Sequence, residues 1–197
     1  MAIKDYKIFV SYDHENDQKY RDEFERIIAC SEISTVDSAP ITDISDITDK
    51  KNIDSDVDNG ADVNAAADAI RQKIRDEILQ DSVVTVVLVG KDTWKKKHID
   101  LEIEASISQT ESNPRSGLLG ILLPTHSDLE NNQYSYDTIP PRLHKNIQNG
   151  FAKMYPFDIN LLVIHNSVHE AFERTKSVVP DNSYPLFTED LSGENWE

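Results

Sequence analysis

Along this chain, short unbroken apolar runs alternate with stretches in which apolar residues recur every three or four positions. "YKIFVSY", Tyr6 to Tyr12, is β-branched and aromatic and stops abruptly at the polar "DHEND", the pattern of a buried strand running into a loop. From Asn16 to Ala29, Tyr20, Phe24, Ile27 and Ile28 fall at helical spacing, and "EISTVD" then reads as a weaker strand ending at Asp37. A second helical pattern runs from Val63 to Gln80 through Ala66, Ala69, Ile70, Ile74 and Ile78. "SVVTVVLVG", Ser82 to Gly90, and "LLGILLP", closed by Pro124, are apolar without alternation, so each predicts a strand covered on both faces. Between them, Lys91 to Ser106 predicts a helix with Asp92 or Thr93 as its N-cap. "FAKMYPF" predicts a last strand, and Asp158 to Lys176 a last helix with Ile159, Leu162, Val163, Val168, Ala171 and Phe172 inward. The stretch from Pro124 to Gly150 reads as mostly irregular, and the Asp-, Ser- and Thr-rich residues 38–62 are too long for an ordinary connection, so they are either functional or mobile.

Strands alternating with helices, the central ones continuously apolar, predict a right-handed parallel α/β sheet of about five strands. Ligands of such sheets bind beyond the C-terminal ends of the strands. That edge brings together "SYDHEND", the loop after Asp37 and "GKDTWKKK".

Length and charge narrow the picture. The 197 residues predict one domain over residues 1–176, followed by a polar extended tail over 177–197. With 36 acidic against 20 basic side chains and a net charge of -16, general attraction to nucleic acid or to an anionic membrane is excluded, so any anionic ligand must bind locally. Cys30 is the only cysteine, which rules out an internal disulfide and suggests a reducing, cytoplasmic setting. No apolar run approaches the roughly 18 residues that span a bilayer, and the first residues lack a signal-peptide pattern.

Several motifs fail on inspection. Gly90-Lys91 lacks the earlier Gly and the following Ser or Thr of a P-loop, where Thr85 and Asp92 stand instead. "DSDVDNG" places its Gly one position late for a calcium loop and has Ala65 where a bidentate Glu belongs. His165 and His169 are spaced i, i+4, but Asn166 replaces the Glu of a zinc protease, so no metal site is expected. Cys30 falls on the apolar side of a predicted helix, unlike a nucleophile.

The helix from Lys91 is the odd element. Lys91, Lys95, Lys96 and Lys97 crowd its start, against the helix dipole, which favours anions there. At about 100° per residue, Trp94, Leu101 and Ala105 form one apolar sector and Ile99, Ile103 and Ile107 another, nearly opposite. Glu102 lies between them with His98 and Ser106, in a crevice where a carboxylate is partly desolvated, while Asp100 and Glu104 form the arc expected to face water.

"KIFVSYDHEND", "DAIRQKIRDEILQDSVVTVVLVGKDTWKKKHIDLEIEAS" and "NPRSGLLGILLP" together resemble the TIR-like domains of bacteria, in particular those of Thoeris antiphage systems. The resemblance runs from about Tyr6 to Lys176 and implies a flavodoxin-like three-layer sandwich around a central five-stranded parallel sheet. It further implies cleavage of the N-glycosidic bond of NAD, with Glu102 as the catalytic carboxylate and NAD as substrate rather than as a resident cofactor. On the same grounds Phe9, Ser11, Tyr12, Asp13, Asp37, Trp94 and His98 are candidate contacts to the nicotinamide and ribose. Lys91 and Lys95 are candidates for the pyrophosphate. Many members carry Trp four residues before the Glu, whereas here His98 holds that place and Trp94 lies one turn earlier. The resemblance leaves two functions open: an NAD-consuming enzyme whose ADP-ribose-derived product signals to a separate effector, or a non-catalytic module that associates through its TIR faces.

Overall fold

The computed structural model describes residues 5–36, 71–126, 134–157 and 160–196. Asp37, the loop 38–62, residues 63–70 of the predicted helix Val63–Gln80 and the start of the last predicted helix lie outside the described residues.

Five strands, β1 (Tyr6–Ser11), β2 (Ile33–Thr35), β3 (Val84–Val89), β4 (Gly117–Leu122) and β5 (Ala152–Pro156), form one parallel sheet in the order β2-β1-β3-β4-β5. This is the parallel α/β sheet predicted from the alternation of elements, in the flavodoxin-like architecture that the resemblance implies. Every residue of β3 and β4 is buried, as expected for strands covered on both faces. Alternate β3 side chains serve opposite layers. Val84, Val86 and Leu88 join Phe24, Ile28, Ile164 and Val168 on one side, and Val87 and Val89 join Ile99, Ile103 and Leu143 on the other. The first layer is made by α1 (Gln18–Ile28) and α4 (Leu161–Arg174), the second by α2 (Lys97–Ile107) and α3 (Pro141–Gln148). Gly117 lets α4 approach the sheet closely, since a Cβ there would collide with the Ala171 carbonyl. No helix among the described residues is long and apolar enough to cross a membrane.

The structure departs from the sequence reading in several places. Helix α3 lies in the stretch expected to be irregular; its apolar side was hidden because two of its inward residues, Arg142 and Asn146, are polar. Its start, Pro140-Pro141, fits a helix that begins with Pro in its first turn. Helix α2 begins at Lys97, with a 3-10 turn at Thr93–Lys95 before it. Neither Asp92 nor Thr93 caps it: the Thr93 hydroxyl accepts from the Gly90 amide (2.8 Å) and donates to the Leu88 carbonyl (3.3 Å), which closes the turn and sends Trp94 into the core. Asp100 and Glu104 do not face water but are buried against arginines. On α4, Leu162 and Val163 are exposed, and the buried residues are Ile164, Ser167, Val168 and Ala171. Cys30 lies just past the end of α1 and is exposed.

Residues 177–196 contain no helix or strand, yet they run along α2 from its C-terminal to its N-terminal end. Asn182 donates to Ser108 Oγ (3.0 Å), the Phe187 amide to Asp100 (3.3 Å) and the Leu191 amide to the Lys95 carbonyl (2.7 Å). Trp196 closes the segment by donating from Nε1 to the Ile139 carbonyl (2.9 Å).

Candidate functional site

Strand β1 ends at Ser11, beside the middle of α2, and the Ser11 hydroxyl donates to Glu102 Oε2 over 2.6 Å. The two apolar sectors of α2 are both buried, Ile99, Ile103 and Ile107 against β3 and β4, and Leu101 and Ala105 against Phe9, Ile74 and Leu79. Glu102 is caught between them and is 2 % exposed. Burial raises its carboxyl pKa from the ordinary range to about 8, opposed only by the Ser11 hydrogen bond. No cation pairs with it among the described residues. At neutral pH this burial favours the protonated form of Glu102 over the carboxylate.

Glu102 lies at the wall of a cleft of about 310 Å³ lined also by Phe9, Tyr12, His14, Arg21 and Val36. The size suits a nucleoside-sized portion of a ligand. The Tyr12 hydroxyl donates to Gln18 Oε1 (2.7 Å), and burial raises its pKa. Arg21 is engaged by Glu25 on the next helical turn (2.7 Å). His98 Nε2 lies 3.3 Å from the Tyr12 carbonyl; a carbonyl only accepts, so this nitrogen carries the hydrogen. The His98 ring stacks on His14 with centroids 5.2 Å apart and planes at 22°.

The candidate residues thus divide. Phe9, Tyr12 and Glu102 line the cleft, Ser11 holds Glu102, and His98 sits at the rim on its neighbour His14. Asp13 instead folds the turn between β1 and α1, accepting from the Glu15 amide (3.1 Å) and from Asn16 Nδ2 (2.7 Å). Trp94 is a core residue with Lys95 Nζ 5.2 Å from its ring centroid. Lys91 is exposed beyond β3, and Asp37 lies outside the described residues. His165 and His169 both pack on the Tyr6 ring, and His169 Nδ1 shares a 2.5 Å hydrogen bond with the Tyr6 hydroxyl.

The crowded lysines find their anions within the chain. Lys95 pairs with Asp92 (2.7 Å) and Lys96 with Glu15 (2.8 Å), while Lys97 donates through Nζ to the Thr188 carbonyl (2.7 Å). The first amide of α2, that of Lys97, donates to the Asp190 carboxylate (2.8 Å), so the tail supplies the negative charge that a helix N-terminus favours. The reading from sequence missed His14, Gln18 and Arg21. His14 stood in the quoted "DHEND", but nothing in its spacing separates a cleft residue from a loop residue.

No curated protein and no solved structure matches the chain. The family described as "Thoeris protein ThsB, TIR-like domain" matches residues 9–128, a span that contains the end of β1, α1, β2, β3, α2, β4 and Glu102. Covering more than half the sequence and agreeing with the 2-1-3-4-5 parallel sheet, this match makes the chain a member of the Thoeris ThsB TIR-like family.

Proposed function

We propose that this chain cleaves the bond between nicotinamide and ribose in NAD, with Glu102 as the catalytic carboxylate, and passes the ADP-ribose portion into a small-molecule signal for a separate defence effector. The observation that carries this reading is a carboxyl buried at a sheet-edge cleft, bonded to one serine and, among the described residues, to no cation. The other two buried acids of the same helix, Asp100 and Glu104, are matched by arginines, so the unmatched carboxyl beside the cleft is the one available to a cationic ligand.

The chemistry follows from charge. The pyridinium nitrogen of NAD is cationic, and its arrival beside Glu102 favours the carboxylate over the acid. As the C1′–N bond breaks, its electron pair moves to the pyridine nitrogen and nicotinamide leaves neutral, so no strong general acid is needed. Positive charge shifts onto the ribose as an oxocarbenium ion. Glu102 stabilises that charge more effectively in a cleft screened from water than in bulk solvent. Water or another hydroxyl then attacks C1′ and gives up a proton. Ser11 orients the carboxylate, and Phe9 and Tyr12 provide apolar and aromatic walls.

The test is nicotinamide release from NAD by the purified chain, with and without extract of phage-infected cells. Release that disappears in Glu102→Gln supports the assignment, and release unchanged by that substitution removes Glu102 from the reaction.

A further inference from the structure

Within the reading of the cleft as a nicotinamide site, we propose that His14 recognises the carboxamide group of the nicotinamide ring and so orients the ring against Glu102. The residue follows β1 directly and lines the same cleft as Glu102, Phe9 and Tyr12. Its ring is held by two aromatic contacts: His98 stacks on it, and Tyr12 meets it edge to face at 4.2 Å and 73°. These contacts set the plane of the imidazole before any ligand arrives.

Its Nε2 is nonetheless buried and has no hydrogen-bond partner among the described residues. A polar atom held in that condition costs stability unless something else completes it, and in a ligand cleft the natural completion is the ligand. The neighbouring histidine differs in this respect, because the hydrogen on His98 Nε2 is already directed at the Tyr12 carbonyl. His14 is therefore the ring of the pair with capacity to spare.

The electrostatics suit the same ligand. Burial, followed by the proximity of His98, holds the His14 pKa below its ordinary value, and burial does the same for His98. Two uncharged imidazoles at the rim admit a cationic pyridinium without repulsion. A primary amide fits a neutral imidazole nitrogen in either tautomer, since it offers an N–H to an acceptor and a carbonyl to a donor. A pyridinium ring without the carboxamide offers neither.

The experiment measures binding by titration calorimetry on the full chain carrying Glu102→Gln, with NAD and with the analogue whose pyridinium ring lacks the carboxamide. His14→Phe keeps the two ring contacts and removes the nitrogens; His14→Gln replaces a donor and an acceptor. The expected result is a roughly ten- to hundredfold loss of NAD affinity in His14→Phe, partial recovery in His14→Gln, and no change for the analogue in either variant. Equal weakening of NAD and the analogue makes His14 a structural residue and overturns the proposal, while the nucleotide reading stands. Absence of NAD binding to the parent Glu102→Gln chain and to the unmodified chain overturns both.

Discussion

Helix α2 carries three acids in five residues, and all three are buried: Asp100 is 1 % exposed, Glu102 2 % and Glu104 3 %. They nevertheless live under different rules. Asp100 receives a two-pronged hydrogen bond from Arg142 (Nε to Oδ1 2.9 Å, and the second guanidinium nitrogen to Oδ2 3.1 Å) and accepts from the Phe187 amide of the tail. Glu104 accepts from Arg71 Nε at 2.6 Å. Glu102 has Ser11 and no counter-charge among the described residues. Equal burial thus gives opposite electrostatics: the paired acids lock the helix to its neighbours as ions, and the unpaired one is pushed toward its neutral form and is the one proposed to meet a cationic ligand.

Breaking the matched side should cost most in stability. Arg142→Ala leaves Asp100 buried without its partner and is expected to lower unfolding free energy by about 3–5 kcal/mol, measured by urea denaturation. The double change Arg142→Leu with Asp100→Leu should recover most of that loss, because removing both charges removes the desolvation problem. The unmatched side should behave in reverse. Glu102→Gln is expected to reduce nicotinamide release by at least about a hundredfold while raising stability at pH 8 by about 1–3 kcal/mol. A loss of both activity and stability would place Glu102 with its paired neighbours.

The same comparison sharpens with pH. Because burial raises Glu102 to about 8 from an ordinary value of 4.5, the folded chain holds a proton that the unfolded chain has lost between those values. The stability from neutral Glu102 is complete below about pH 4.5 and is lost as pH rises through about 8. Turnover should move the other way over the upper part of this window, rising as the carboxylate forms. Thermal melts and initial rates from pH 6 to 9 test both directions together, and Glu102→Gln should flatten the stability trend. Ser11→Ala removes the hydrogen bond that favours the charged form, so the rise in turnover should shift to higher pH, with about 1 kcal/mol lost in stability. The smallest effect is expected from Asp190→Asn, which weakens the anion at the start of α2 and should cost about 0.3–1 kcal/mol by denaturation.

Much of the fold was readable in advance because its elements follow local periodicity. The unbroken apolar runs at Val84–Val89 and Gly117–Leu122 require two covered faces, and both are central strands. Helix α3 was not readable, since its inward Arg142 and Asn146 look like surface residues until Asp100 and the tail residues Asp181 and Asn182 surround them. The site was half readable. Counting 100° per residue around α2 separated its two apolar sectors and put Glu102 between them, yet the same counting gave Asp100 and Glu104 to water. A charged residue's face is predicted as solvent by default, and only a distant arginine makes the opposite arrangement tolerable.

From the sequence alone came the parallel sheet, the edge at which a ligand is expected and Glu102 as the acid between two buried stripes. Those depend on spacing along one segment, and spacing is written in the order of residues. Among the described residues, tertiary structure decided which acid of α2 is left without a cation, which of the two cleft-rim histidines keeps an unpartnered nitrogen and which anion answers the lysines. Each of those depends on partners far apart in the chain, Arg71 and Arg142 on α2, His98 on His14 and Asp190 on Lys97, whose meeting is settled only when burial removes water and makes every pairing count.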